Sequence, residues 1–376
     1  MMTGPRACAP SELPQLARLA DAVFRSKGGS MQAEYPLVFG EENLNFCRVI
    51  EEDGRIVSHV GVSIRDASLL GCSLRVASIG AVCTDAAYRG RGYASLLMED
   101  ARTLALGEGA SLMLISGGRG LYHRLGYVNV GSFRSFTARA EILPVPAEGL
   151  RVEPCGAAQI PGLIALHQRL PVRFVRPADD WEKLLAAGMI MNQRGDCLGV
   201  WEEGRLVAYA AVQRPRDGAP ARVREYAGSE TALFAALGAV ARYYEASGVE
   251  VVAMPGTEDL ARLLRNAGAE EKELAFTGTL GILDVDGFFA CIHPYVRECL
   301  GAPTDALFLD PRQTNSISFE YAGERYALAN RGQLTALVFG GSTEEARSIP
   351  EAPPGVGEIL KRIFPMPLLW YGYNYV

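Results

Sequence analysis

Hydrophobic and polar positions along the chain follow two periods, and both recur. The segment Cys8-Ala9-Pro10-Ser11-Glu12-Leu13-Pro14-Gln15-Leu16-Ala17-Arg18-Leu19 begins with a capped, proline-marked helix start. It continues with apolar residues at three- and four-residue steps, which predicts an amphipathic helix. Cys155-Gly156-Ala157-Ala158-Gln159-Ile160-Pro161-Gly162-Leu163-Ile164-Ala165-Leu166 repeats that pattern at an offset of 147. A second period follows: Cys47 to Val62 holds two runs of apolar, β-favouring residues parted by Asp53-Gly54-Arg55. Cys197 to Val212 does the same around Glu203-Gly204-Arg205, at an offset of 150. An acidic-Gly pair between two such runs is a hairpin signal. Two matches in one order at nearly one offset predict a duplicated α/β domain, each copy reading helix, hairpin, strand, helix, strand, helix, strand. The first copy covers residues 1–145 and the second 146–285.

The remainder, 286–376, follows a different pattern. It predicts a helix over Phe288 to Leu300, strands over Ser316 to Tyr321 and Glu324 to Leu328, and a strand over Leu334 to Phe339 that runs into Gly340-Gly341. A Pro- and Glu-rich loop at Ser348 to Pro354 then leads to a helix over Val356 to Ile363, making a small α+β unit. At about 150 residues per domain, a length of 376 accommodates this organisation. A net charge of -6 has the wrong sign for a partner with a polyphosphate backbone, so nucleic acid is not expected as the ligand. The eight cysteines lack the short spacing of a zinc knuckle and are too sparse for a disulfide scaffold, which predicts no metal site and a reducing, cytoplasmic setting. The longest uncharged run, Ile363 to Val376, has 14 residues and two prolines, short of the roughly 20 needed for a membrane span.

Arg89-Gly90-Arg91-Gly92-Tyr93-Ala94 lies between a predicted strand, Ala77 to Thr84, and a predicted helix from about Gly92 to Leu106. That helix carries Tyr93, Leu97, Ala101 and Leu104 on one face, so it packs on a sheet and its start is held rigidly. Backbone N–H groups at a glycine-rich strand-to-helix turn, reinforced by the helix dipole, form an anion site suited to a pyrophosphate.

An Arg-x-x-Gly-x-Ala turn in that setting is followed by Leu112 to Ser116 and by Tyr122-His123-Arg124-Leu125-Gly126-Tyr127. This succession resembles the GNAT N-acetyltransferases. The resemblance implies acetyl-CoA as co-substrate, held by Val82, Cys83, Thr84, Arg89, Gly90, Arg91, Gly92, Tyr93, Ala94, Ser95 and Gly117. The pantetheine arm would pair with the edge of Val82 to Thr84 as an added strand, the amide of Val82 would face the thioester oxygen, and Tyr122 would lie near the sulfur. The second copy departs from the pattern. Arg224 to Leu233 runs into a helix without Arg-x-x-Gly-x-Ala, and aligning Gly268 with Gly126 puts Leu264 where Tyr122 stands. Only the first copy is therefore expected to bind cofactor.

A catalytic copy, a degenerate copy and a small α+β domain ending in Pro367-Leu368-Leu369-Trp370-Tyr371-Gly372-Tyr373-Asn374-Tyr375-Val376 resemble the enhanced-intracellular-survival (Eis) acetyltransferases over essentially the whole chain. The resemblance implies two tandem GNAT-type domains, a sterol-carrier-protein-like last domain, assembly into a homo-oligomer, and a terminal carboxylate that works in the first domain's active site. An apolar, aromatic chain end predicts burial, since exposed ends are normally polar. Transfer to an amine requires that its ammonium lose a proton. The resemblance gives that task to the α-carboxylate of Val376, whose basicity burial would raise, and gives protonation of the leaving CoA thiolate to Tyr122. His59 and His123 are alternative bases. The resemblance implies a primary amine as acceptor, on an aminoglycoside-like small molecule or a lysine-bearing peptide, with Phe24, Trp370 and Tyr371 as candidate lining aromatics. Two other classes fit the same residues: a non-catalytic acyl-CoA sensor, and an apolar-ligand carrier using the last domain.

Overall fold

Asp53-Gly54 and Glu203-Gly204 each turn the chain with both residues at positive φ, 51° and 78° in the first and 49° and 78° in the second. That backbone matches the right-handed twist of the strands it joins, so each pair closes a tight hairpin as predicted. The computed structural model describes residues 1–216, 218–301, 308–310, 317–341 and 344–376, without side-chain detail at 308–310 and 344–345. Its chain divides into two compact units that interleave along the sequence. One comprises Met1–Val23, Leu44–Ser132 and Ala275–Leu368; the other comprises Phe24–Asn43, Phe133–Leu274 and Leu369–Val376.

In the first unit, β1 (Met2–Ala7), β2 (Cys47–Glu52), β3 (Arg55–Leu69), β4 (Cys72–Thr84) and β5 (Leu112–Ile115) lie side by side in that order. Neighbours are antiparallel except β4 and β5, which run parallel and are joined through α4 (Tyr93–Gly107). A parallel pair needs such a crossover. The amphipathic helix expected near the start is α1 (Leu13–Phe24), with Leu13, Leu16, Ala17, Leu19 and Ala20 buried. Val60, Val62, Ile79, Met113 and Ile115 of the sheet pack with Leu97, Met98 and Ala101 of α4. A short α5 (Gly120–Arg124) follows β5.

The second unit repeats the order. It uses β7 (Leu150–Pro154), β10 (Gln193–Glu202), β11 (Arg205–Gln213), β12 (Ala221–Gly228) and β13 (Gly248–Val252), again with only the last pair parallel. Here α6 (Ile160–His167) and α7 (Ala178–Ala187) precede the hairpin, and α8 (Glu230–Tyr243) links β12 to β13. The matched cysteines sit alike: the Cys8 N–H donates to the Cys47 carbonyl at 2.9 Å, and the Cys155 N–H to the Cys197 carbonyl at 2.7 Å. The unit also holds α2 (Met31–Glu34), α3 (Pro36–Phe39), β8 (Val172–Phe174), β9 (Met189–Ile190), α9 (Glu258–Asn266) and β14 (Glu270–Ala275).

The sixth strand of each sheet comes from the far side of the other copy. β6 (Ser132–Arg139), which follows the first copy's strands, pairs antiparallel with β13. β15 (Thr279–Ile282), which follows the second copy's strands, pairs antiparallel with β5. The strands therefore do not divide at residues 145 and 285, because an exposed sheet edge accepts any strand of suitable pattern that reaches it.

In the last segment, α10 (Val285–Leu300), β16 (Phe308–Asp310), β17 (Ile317–Tyr321), β18 (Glu324–Leu328), α12 (Glu344–Arg347) and α13 (Pro354–Ile363) alternate, and β16, β17 and β18 form a separate sheet. Ser316, the expected strand start, lies outside the described residues. One expectation is corrected: Leu334 to Phe339 is helical, within α11 (Arg331–Phe339). Asn330 caps it, its side chain accepting from the Gln333 N–H, and Gly340 leaves it at a φ of 73°. A short apolar run reads alike for a strand and for a helix buried on all sides, and here nearly every residue of the helix is buried.

Candidate active site

The first sheet opens between β4 and β5. Their pairing joins Val76 through Ile79 to Leu112 through Ile115 and stops there, while β4 continues to Thr84. Against β3 the register slips between Gly80, opposite Gly61, and Cys83, opposite His59. Ala81 within the slip has a φ of 51°, rare for a residue with a side chain, which marks a β-bulge. Past the bulge the Val82 carbonyl accepts from Arg119 Nη1 and the Thr84 carbonyl from Arg89 Nε, each at 3.3 Å. The Cys83 carbonyl instead accepts from the Ser58 hydroxyl of β3 at 3.1 Å. Successive residues of a strand turn their backbone groups to opposite edges, so Val82 and Thr84 face the opening and Cys83 turns to β3.

The turn after β4 ends at the start of α4. Gly90 and Gly92 have φ of 80° and 81°, which a residue with a Cβ adopts only at a cost, and Gly92 caps α4 without any side-chain hydrogen bond. The first-turn N–H groups of Tyr93, Ala94 and Ser95 therefore stay available to an anion. In the second unit the corresponding helix start carries a side-chain cap: Ser229 precedes α8, its hydroxyl accepting from the Ala232 N–H at 3.1 Å. Arg91 is partly spoken for, since Nη1 lies 3.0 and 3.1 Å from the two Glu52 oxygens and the guanidinium sits 4.8 Å over the Tyr88 ring. Tyr93 also donates to Glu52, at 2.8 Å. Glu52 was not legible as part of this loop; it ends a strand 39 residues upstream of Arg91.

Tyr122 lies in α5, 3% exposed, with its ring 3.5 Å from where a Cβ on Gly117 would stand. Gly117 is fixed at the end of β5, its N–H donating to the Ile115 carbonyl and its carbonyl accepting from Thr279 Oγ1. The cofactor loop, the strand opening, Gly117 and Tyr122 thus belong to one unit. His59 is fully buried and hydrogen-bonds through Nδ1 to the Arg48 carbonyl at 3.1 Å. Burial pulls its pKa down to about 4, so at neutral pH it is an uncharged core residue. His123 is half-buried and lines a cavity with Glu99, Arg102 and Tyr127. Burial pushes the Tyr127 phenol up to about 12.

The chain end, Leu369–Val376, belongs to the other unit and is buried as expected, Val376 being 5% exposed. No cation among the described residues of that unit pairs with its carboxylate. Trp370 packs edge-on to Phe133 of β6 at 4.6 Å and Tyr371 to Tyr375 at 5.3 Å, and both candidate lining aromatics are buried. Phe24, half-buried, belongs to the same unit. A feature with no local signal in the sequence lies beneath the tail. Arg176 and Glu225 form a bidentate ion pair with both bonds at 3.0 Å, their side chains 1% and 5% exposed, and Arg176 also reaches Asn374 Oδ1 at 2.7 and 3.0 Å. Burial alone would raise the Glu225 pKa, but the Arg176 guanidinium holds it down to about 2. Burial, with Arg176 nearby, lowers His167 to about 3. Among the described residues, no cluster of His, Cys, Asp or Glu is arranged to hold a metal, and no helix is long and apolar enough to cross a membrane.

Residues 5–129 match the acetyltransferase (GNAT) domain family. No curated protein matches the chain by sequence. Solved structures match its fold nearly end to end. A GCN5-related N-acetyltransferase from Anabaena variabilis aligns at 17% identity over 96% of both chains with a TM-score of 0.70. A probable N-acyltransferase from Enterococcus faecalis aligns at 14% identity over 98% of this chain and 97% of that one, with a TM-score of 0.69. Eis1 from Mycobacterium abscessus aligns at 14% identity over 100% of both, with a TM-score of 0.66.

Proposed function

We propose that the chain, which carries a GNAT acetyltransferase domain over residues 5–129, a class that uses acetyl-CoA, is an acyltransferase that carries the acetyl group to a primary amine in a ternary complex. The observation that carries this reading is the opening of β4 from β5 beside the uncapped start of α4. The first supplies an unpaired strand edge for an amide-bearing arm, and the second a cluster of N–H donors for a pyrophosphate. Cofactor binding is assigned to the first sheet alone, because the second lacks the glycine loop and Ser229 already takes one first-turn N–H of the matching helix start. Val82 and Thr84 pair with the pantetheine arm. Arg119 and Arg89, which hold those carbonyls, move aside as it enters.

In this reading the α-carboxylate of Val376 takes the proton from the acceptor ammonium. The neutral amine attacks the thioester carbonyl, and as the tetrahedral intermediate collapses with cleavage of the C–S bond, Tyr122 protonates the departing thiolate and regains a proton from the nitrogen of the intermediate. The acceptor is an aminoglycoside-like amine or a lysine side chain. The chain is organised as two GNAT-type domains, the second degenerate, followed by a sterol-carrier-like domain, and it assembles as a homo-oligomer.

Adding one Gly after Val376 tests the assignment of the base. It moves the carboxylate by up to about 3.5 Å, beyond hydrogen-bond reach of its proton. Turnover of an aminoglycoside or a lysine peptide should fall by roughly a hundredfold while acetyl-CoA affinity holds. Tyr122→Phe should leave residual activity, since a thiol of pKa about 8.5 departs without much help. Unchanged turnover by the extended chain from pH 6 to 9 would refute the role of Val376.

A further inference from the structure

The second sheet keeps the form of a cofactor cleft after losing the loop. Its fourth strand also bulges against its third, here directly after the last residue paired with the fifth: β12 pairs with β11 through Glu225 opposite Ala211 and Val223 opposite Val212, leaving Arg224 as the extra residue. Its parallel pairing with β13 likewise stops at Val223. In the first sheet the carbonyl of Val82, the residue after the bulged Ala81, is held by Arg119. In the second, the carbonyl of the bulged residue itself, Arg224, accepts a hydrogen bond from the indole N–H of Trp370, a residue of the chain's own end.

Three further contacts fix the end there. The Tyr373 N–H donates to Glu225 Oε2 at 3.2 Å, the Gly372 carbonyl accepts from the Met191 N–H at 3.2 Å, and Asn374 Oδ1 takes two bonds from Arg176. Gly372 is required: its φ is 49° and a Cβ would collide with the Glu225 carboxylate. Arg176 lies 4.2 Å over the Trp181 ring and 5.4 Å over that of Tyr373. A buried ion pair is costly to desolvate and seldom adds net stability, and its best-attested use is to fix one register among several. Here it grips a segment whose last residue lies two positions beyond Asn374. Two residues of chain span at most about 7 Å, so an error at Asn374 passes to the terminal carboxylate almost undiminished.

We infer that the second sheet is a socket for the chain's own C-terminal segment, and that Arg176, Glu225 and Asn374 are positioning residues that set the place of the Val376 carboxylate. The positioning role rests on the assignment of that carboxylate as base; the socket does not. The Asn374 side chain separates the two possibilities chemically. Only Oδ1 is bonded, and Nδ2 has no hydrogen-bond partner. Asn374→Asp therefore keeps the acceptor that Arg176 uses, while Asn374→Ala removes it.

Two readouts test this on the full-length protein: release of Val376 by a carboxypeptidase, followed by mass spectrometry, and steady-state kinetics with the better of the two acceptors. Asn374→Ala should speed release by about tenfold or more, the equilibrium equivalent of losing an acceptor bonded by a charged donor. It should lower kcat by about a hundredfold, as expected for a base misplaced by an ångström, with KM for acetyl-CoA unchanged. Asn374→Asp should restore both. Trp370→Phe, which keeps a ring and loses one N–H, should also speed release and provides the test if Asn374→Ala does not fold. Wild-type release rates in these variants would overturn the socket, as would an Asp variant no better than Ala. If the Gly extension leaves turnover intact, the assignment of the base fails and release alone judges the socket. If the extension abolishes turnover but Asn374→Ala does not lower it, the positioning role is wrong.

Discussion

Lowering the pH from 7 to 5 should weaken both units through two histidines that the fold keeps uncharged. In an unfolded chain each imidazole binds a proton near pH 6.5. Folded, His59 stays neutral down to about pH 4 and His167 down to about pH 3, both because of burial. The folded values lie below the unfolded ones, so between them the unfolded chain binds more protons. Stability therefore falls as the pH drops below 6.5, until each folded value is passed. At pH 5 the unfolded imidazoles are almost fully protonated and the folded ones almost fully neutral, so each histidine costs about 2 kcal/mol relative to pH 7. Glu225 works in the same direction, but it is held to about 2 and adds to the loss only below about pH 5. The two effects can be read apart. Trp181, Trp201 and Trp370 all belong to the second unit, so tryptophan fluorescence follows the unit of His167, whereas far-ultraviolet circular dichroism follows both. Guanidinium unfolding at pH 7, 6 and 5 should show the loss by both probes. His167→Gln should flatten the fluorescence series, and His59→Gln should flatten only the remainder seen by dichroism. Equal stability at pH 7 and 5, or a slope that survives in the double variant, would refute the argument.

Gly92→Ala places a Cβ at a left-handed position, costing about 1–2 kcal/mol, at the mouth of the open helix start. Calorimetric titration should show acetyl-CoA affinity lowered by about tenfold or more, whereas Ser229→Ala, which uncaps α8 at about 1 kcal/mol, should leave that affinity unchanged. Arg176→Met leaves Glu225 buried and unpaired and should cost about 3–5 kcal/mol in fluorescence-detected unfolding; Arg176→Met with Glu225→Leu should recover most of it.

The parts of the fold that local chemistry dictates were legible in the sequence. The Asp53-Gly54 and Glu203-Gly204 turns, the helix starts at Leu13 and Ile160, and the glycines before α4 each act through backbone geometry within a few residues. Leu334 to Phe339 was misread because a short apolar run has no period to report when all its sides are buried. The exchange of β6 and β15 was not legible either, since alternation identifies a strand but not the sheet it joins. Of the site, the loop and Tyr122 stood in one stretch. Glu52 and the Arg176–Glu225–Asn374 contact join residues far apart in sequence, and nothing in the chemistry of an isolated Arg or Glu tells which carboxylate it will meet.

The strand exchange also orders events during synthesis. β5 is buried along its whole length, and among the described residues its outer edge is paired by β15, which leaves the ribosome after every strand of the second sheet. At about 5–20 residues per second, that apolar edge waits about 10–30 s for its partner. A bare edge of this kind is a template for pairing with other chains. The second sheet has no such wait, because β6 is already made when β13 emerges. The later-encoded sheet can thus close before the earlier one. A fragment cut at residue 145 would carry β6 with no sheet to join and β5 with its edge exposed, the combination most prone to aggregate.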